Sequence, residues 1–97
     1  VGSPTRTVYC ATKHALEGLN RAMAVELAPQ GIRVNTIAPT FVATPMALPM
    51  LENPQFRDFV LGMIPMGKIA EPDDVAAAVV YLASEASDFM TGSDLVI

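Results

Sequence analysis

Twice in this chain a helical pattern leads through a glycine into a short apolar strand pattern, and that order constrains the fold more than any other feature. From Tyr9 to Ala28 there is no proline, and Leu16, Leu19, Met23 and Leu27 recur at helical spacing. Ala11, Ala15, Ala22 and Ala24 widen the apolar surface, so the helix is expected to pack on more than one side. Pro29 and Gly31 end it. The β-branched run Ile32 to Ala38, stopped by Pro39, reads as a buried strand. Further on, Glu71-Pro72-Asp73-Asp74 is a strong helix start: proline suits the first helical position, and acids complement the positive end of the helix. That helix is expected to run to about Glu85, with Val75, Val79 and Leu82 inward. Gly92 then turns the chain into a second apolar strand, Asp94 to Ile97.

Helix, strand, flap, helix, strand is the order of an α/β protein with a parallel sheet. Two strands do not complete such a sheet, because both faces need cover and each strand needs neighbours. The missing strands are expected upstream, and the chain is read as one piece of a longer domain. Residues 1–8 carry turn chemistry and read as a loop. Between the two helix–strand units, Pro39, Pro45, Pro49, Pro54 and Pro65 stand among Met, Phe and Leu. This segment is expected to be a mobile, apolar, partly helical flap, and long segments of that kind often cover active sites.

The chain has 97 residues, 52% hydrophobic and 16% charged, which excludes a disordered polymer. So high an apolar share suggests that some of these side chains face missing sequence or a partner subunit. Net charge is −4 and the six Lys and Arg are scattered, so no basic stripe for nucleic acid forms. The single Cys10 cannot form an internal disulfide, which fits a reducing compartment. No leader pattern opens the chain and no apolar run reaches membrane-spanning length; a soluble cytoplasmic protein without membrane contact is the expectation. No His, Cys or acid cluster has metal-ligand spacing, so no metal site is expected. Gly62 to Lys68 has the outline of a phosphate-binding loop, but Ile69 stands where Ser or Thr would bind magnesium, and no strand leads into it.

Tyr9 and Lys13 sit at i and i+4, on one helix face. A tyrosine ordinarily titrates near ~10 and is a poor acid or base at neutral pH. A neighbouring ammonium favours its phenolate, so the spacing describes a general acid tuned by a fixed cation. Alone, the spacing equally fits a helix start with a solvated lysine. His14 points about 100° further round the helix and reads as a surface or interface residue. Cys10 could be a reactive thiol but reads more readily as a small buried hydrophobe.

The motif has company. Tyr9-Cys-Ala-Thr-Lys13, Glu26-Leu-Ala-Pro-Gln-Gly-Ile-Arg-Val-Asn-Thr-Ile-Ala-Pro39, Thr44-Pro-Met46, Gly67-Lys-Ile-Ala-Glu-Pro-Asp-Asp-Val75, Tyr81-Leu-Ala-Ser84 and Thr91-Gly92 follow one another over essentially the whole chain. Together they resemble the short-chain dehydrogenase/reductase family, most nearly its 3-oxoacyl-carrier-protein reductase and sugar-alcohol dehydrogenase types. The resemblance implies that residues 1–97 are the carboxyl-terminal part of a Rossmann-like doubly wound parallel sheet, with the amino-terminal cofactor-binding part missing. It implies an oxidoreductase moving a hydride between NAD or NADP and a ketone or secondary alcohol. Tyr9 would be the general acid or base; Lys13 would assist it and hold the nicotinamide ribose. Pro39 and Thr40 would run along the nicotinamide, with the Val42 backbone and Thr44 hydroxyl on its carboxamide. Residues 45–66 would be the substrate flap. The tyrosine-bearing helix would pack against its copy in a homodimer or homotetramer; a truncated relative serving only as a subunit-interaction module is the alternative. Thr40 stands where the family usually has Gly, the family's catalytic serine would precede Val1, and Ser3 is too near Tyr9 to replace it. No Gly-x-Gly-x-x-Gly occurs.

Overall fold

The computed structural model describes residues 2–97. In chain order it contains α1 (Thr7–Leu27), β1 (Thr36–Ala38), α2 (Leu48–Leu51), α3 (Pro54–Met63), α4 (Pro72–Ala83) and β2 (Asp94–Val96). Short 3-10 turns at Ala28–Gln30 and Glu85–Ser87 close α1 and follow α4. The strands pair in parallel, with Thr36, Ile37 and Ala38 opposite Asp94, Leu95 and Val96.

α1 begins two residues before Tyr9, so the expected loop is shorter and Arg6 stands at the N-cap position, without a side-chain capping bond. Its end is as expected: Pro29 forces a 3-10 turn and Gly31 leaves it at a left-handed φ of 73°. The carboxyl-terminal half of α1 lies against the turn that leads into β2. Ala24 is buried there, and a Cβ on Gly92 would come 3.3 Å from the Ala24 Cβ. Asn20, also buried, donates to the Ser93 carbonyl at 3.4 Å.

β1 is half as long as its β-branched pattern suggests. Before Thr36 the backbone bonds to a turn instead of a strand: Val34 N–H donates to the Thr91 hydroxyl at 3.1 Å, and Gly92 N–H donates to the Val34 carbonyl at 2.7 Å. The Asn35 side chain takes over the next two pairings, donating to the Met90 carbonyl at 2.9 Å and accepting from Ser93 N–H at 3.1 Å. Nor is β1 fully buried: all three residues are half-buried, as follows from a sheet of two strands.

α4 starts as the acids and proline dictate. The Asp74 carboxylate accepts the Glu71 N–H at 2.8 Å while the Glu71 side chain accepts from the Asp74 N–H, a reciprocal cap. It ends at Ala83 because Arg33 gathers its last carbonyls, donating to Leu82 at 2.9 Å and Ser84 at 3.3 Å. The same guanidinium donates to the Ser87 carbonyl, the Ser87 hydroxyl and the Met90 carbonyl. Val75 and Leu82 are half-buried as expected, but Val79 is exposed, and Ala78 takes its place inward. At the helical angle per residue, Ala78, Leu82 and Val75 group together and Val79 lies on their outer edge.

The flap is mostly helix. Asn53 caps α3 by accepting from Gln55 and Phe56 N–H, and Leu51 and Val60 are buried. Phe41 meets Phe56 edge to face, with ring centroids 6.1 Å apart, tying the flap to the segment that leaves β1.

Candidate active site

Tyr9 lies in the first turns of α1, half out of the protein, and Lys13 follows one turn later. The Lys13 ammonium nitrogen is 5.5 Å from the centroid of the Tyr9 ring, within cation–π range. With Leu16 and Glu17 they form one helix face, which fronts the whole of β1 and Pro39 beyond it across a cleft of about 300 Å³. Thr36 to Pro39 and Asp94 make its other wall. Asp94 is held there by the Thr36 hydroxyl, which donates to its carboxylate at 2.9 Å. The cleft thus pairs one cation with two acids, Glu17 and Asp94, that the helix pattern alone does not bring together.

Of the residues named from the sequence, the structure gathers Tyr9, Lys13 and Pro39 into this cleft. Thr40 lines a different one, of about 300 Å³, with Ile64, Met66, Lys68, Ala70, Asp74 and Ile97. Val42 and Thr44 continue the chain beyond β1 into the flap. Val42 forms an isolated parallel bridge to Ala70: Ala70 N–H donates to the Phe41 carbonyl and Ala43 N–H to the Ala70 carbonyl. By the alternation of a parallel ladder, Val42 then turns its own N–H to the opposite side, where it meets no partner among the described residues. The Thr44 hydroxyl accepts the Ala47 N–H at 3.3 Å, which leaves its own proton to donate.

Arg6 was not marked by the sequence, because the expected helix began after it. Its guanidinium carbon lies 5.6 Å from the Tyr9 ring centroid. Thr5, Arg6, Thr7, Val8 and Tyr9 line a further open cleft of about 420 Å³. His14 is exposed and its Nδ1 pairs with the Cys10 carbonyl of the preceding turn at 2.8 Å, consistent with a surface role. Cys10 is a half-buried free thiol. Among the described residues no group of three or more His, Cys, Asp or Glu is arranged for a metal ion, and no helix is long and apolar enough to cross a membrane.

The family model described as enoyl-(acyl carrier protein) reductase matches residues 1–97. Galactitol 2-dehydrogenase (L-tagatose-forming) of Cereibacter sphaeroides is 46% identical over 89 residues, covering 92% of this chain and 35% of its own length. A protein described as a 2-deoxy-D-gluconate 3-dehydrogenase from Agrobacterium tumefaciens, solved with bound NADP, superposes with a TM-score of 0.88 at 35% identity, over 92% of this chain and 36% of that one. 4-Hydroxyisoleucine dehydrogenase complexed with NADH superposes with a TM-score of 0.87 at 35% identity, over 100% of this chain and 40% of that one. This chain therefore spans little more than a third of the length of the relatives it matches, within a Rossmann-type α/β fold. It belongs to the short-chain dehydrogenase/reductase family.

Proposed function

We propose that residues 1–97 form the carboxyl-terminal part of a single Rossmann-like oxidoreductase domain. In it they supply the tyrosine–lysine couple with which an NAD- or NADP-dependent enzyme interconverts a secondary alcohol and a ketone. One observation carries the reading: the Lys13 ammonium stands 5.5 Å from the Tyr9 ring centroid, on a cleft that runs along β1 to Pro39, just past its carboxyl end. Ligands of open α/β sheets bind where strands end in this way.

In the oxidising direction Tyr9, as phenolate, takes the proton of the alcohol hydroxyl. The carbinol hydrogen leaves with its electron pair, and the carbon–oxygen bond becomes a carbonyl. Bound nicotinamide supplies the hydride acceptor, or the hydride donor in reverse. Tyr9 then returns its proton to the carbonyl oxygen in the reducing direction. Lys13 offsets the phenolate charge with its own and would hydrogen-bond the nicotinamide ribose. The residues after β1 fit a carboxamide. The free Val42 N–H is a donor and the Thr44 hydroxyl keeps its proton, and Pro39 and Thr40 would hold the ring. Residues 45–66 close over the substrate with Met46 and Phe59, both exposed. The relatives described above are named for galactitol, 2-deoxy-D-gluconate and 4-hydroxyisoleucine. Those names support a small hydroxylated substrate over a long apolar one. Along α1, Val8, Leu16, Leu19 and Val25 are exposed, which suits a contact with a second copy in a homodimer or homotetramer.

The test is turnover by the full-length protein carrying this chain, assayed with secondary alcohols and NAD⁺ or NADP⁺. Reduced nicotinamide and ketone should appear in equal amounts. No turnover of any alcohol or ketone with either cofactor would refute the reading.

A further inference from the structure

The charges around Tyr9 are unevenly divided. Residues 1–16 hold no Asp or Glu, yet both Arg6 and Lys13 lie in that stretch. The acids near Tyr9, Glu17 and Asp94, belong to the cleft that fronts β1 and share it with Lys13. Arg6 is on the other lining of Tyr9: its guanidinium carbon sits 5.6 Å from the ring centroid, beside Thr5, Thr7 and Val8, with no carboxylate among the residues of that cleft. Arg33, by contrast, spends its guanidinium on the carbonyls of Leu82, Ser84, Ser87 and Met90 and on the Ser87 hydroxyl. No hydrogen bond from the Arg6 side chain to a described residue competes for it in this way.

From this we infer that Arg6 is a specificity-determining residue that selects substrates carrying a carboxylate a few bonds from the reacting carbon. The inference rests on the reading of Tyr9 as the group that meets the substrate oxygen. A guanidinium presents a planar fork of donors matched to a carboxylate, and a cation–π contact at 5.6 Å from the Tyr9 ring uses none of those donors. A hydroxy acid with its carbinol oxygen at the Tyr9 hydroxyl can direct its carboxylate to Arg6. A neutral alcohol leaves the guanidinium in water and gains nothing from it. Lys13 does not do this work, because its own cleft already holds two acids, Glu17 and Asp94.

The experiment uses the full-length protein and a series of secondary hydroxy acids, from 2-hydroxypropanoate to 4-hydroxypentanoate, each paired with its methyl ester. Binding is followed by titration of the Tyr9 ring resonances, with turnover measured alongside. At least one acid should bind saturably and shift the Tyr9 signals, and Arg6→Ala should weaken it roughly tenfold to a hundredfold while leaving its ester unchanged. Arg6→Lys should recover part of the loss, since the point charge remains and the fork does not. Raising salt should weaken the acid and spare the ester. The absence of saturable binding by any acid in the series would overturn the inference, as would equal binding to Arg6→Ala. Tyr9-dependent turnover that favours the esters sinks this inference alone. Acid binding through Arg6 with turnover indifferent to Tyr9 would instead sink the catalytic reading.

Discussion

Lys13 is the side chain whose replacement separates charge from shape at the tyrosine. Lys13→Met keeps the length and most of the apolar stem but removes the cation. If the ammonium stabilises charge on Tyr9, kcat/KM should fall roughly a hundredfold or more, in the range attributed to acid–base assistance. Steady-state kinetics over a range of cofactor concentrations would show it, and turnover within a few fold of the wild type would contradict it. Tyr9 and Lys13 were legible in the sequence because helix geometry alone sets an i, i+4 pair. Glu17 and Asp94 were not legible as a set, since only tertiary packing brings β2 up to the face of α1. Arg6 was hidden by a helix boundary: two residues of difference put a loop residue at the N-cap position beside the ring.

Arg33 acts between elements. Its five hydrogen bonds tie the strand approach to the end of α4 and to the loop that leads into β2. Arg33→Ala orphans several carbonyls at once and should cost the full-length protein about 2–3 kcal/mol, read from its urea midpoint. A midpoint unmoved by the change would show that water replaces the guanidinium freely. Gly92 is the matching backbone device, with φ at 71° and its α-carbon against Ala24. Gly92→Ala should cost about 1–2 kcal/mol, because an L side chain is strained at that φ and must also push on α1. Equal stability of the variant would contradict the strain argument. The start of α4 could be read directly from Pro72 and its acids, and the end of α1 from Pro29 and Gly31. The true length of β1 could not, because the side chains of Asn35 and Thr91 stand in for ladder bonds, and no β-propensity encodes that substitution. Val79 was misplaced for a related reason: an apolar pattern finds a face but not its midline.

The molecule as a whole is too open to be a self-sufficient globule. Its radius of gyration is 16.0 Å, against about 13 Å for a compact domain of this size. Among the described apolar residues only Ala24, Leu51 and Val60 are buried. The high apolar share that suggested missing neighbours therefore appears as exposed Val8, Val25, Val80, Phe89 and Val96. As a monomer, the 97-residue chain alone should unfold over a broad urea range, without the sharp transition of a two-state domain. A steep transition independent of protein concentration would contradict that expectation. In a full-length protein carrying this chain these surfaces would gain cover, and there Tyr9→Phe removes one hydroxyl from the cleft and little else. Turnover with NAD(H) or NADP(H) should be abolished while the cofactor still binds with its original affinity. Turnover unchanged by the substitution would contradict it.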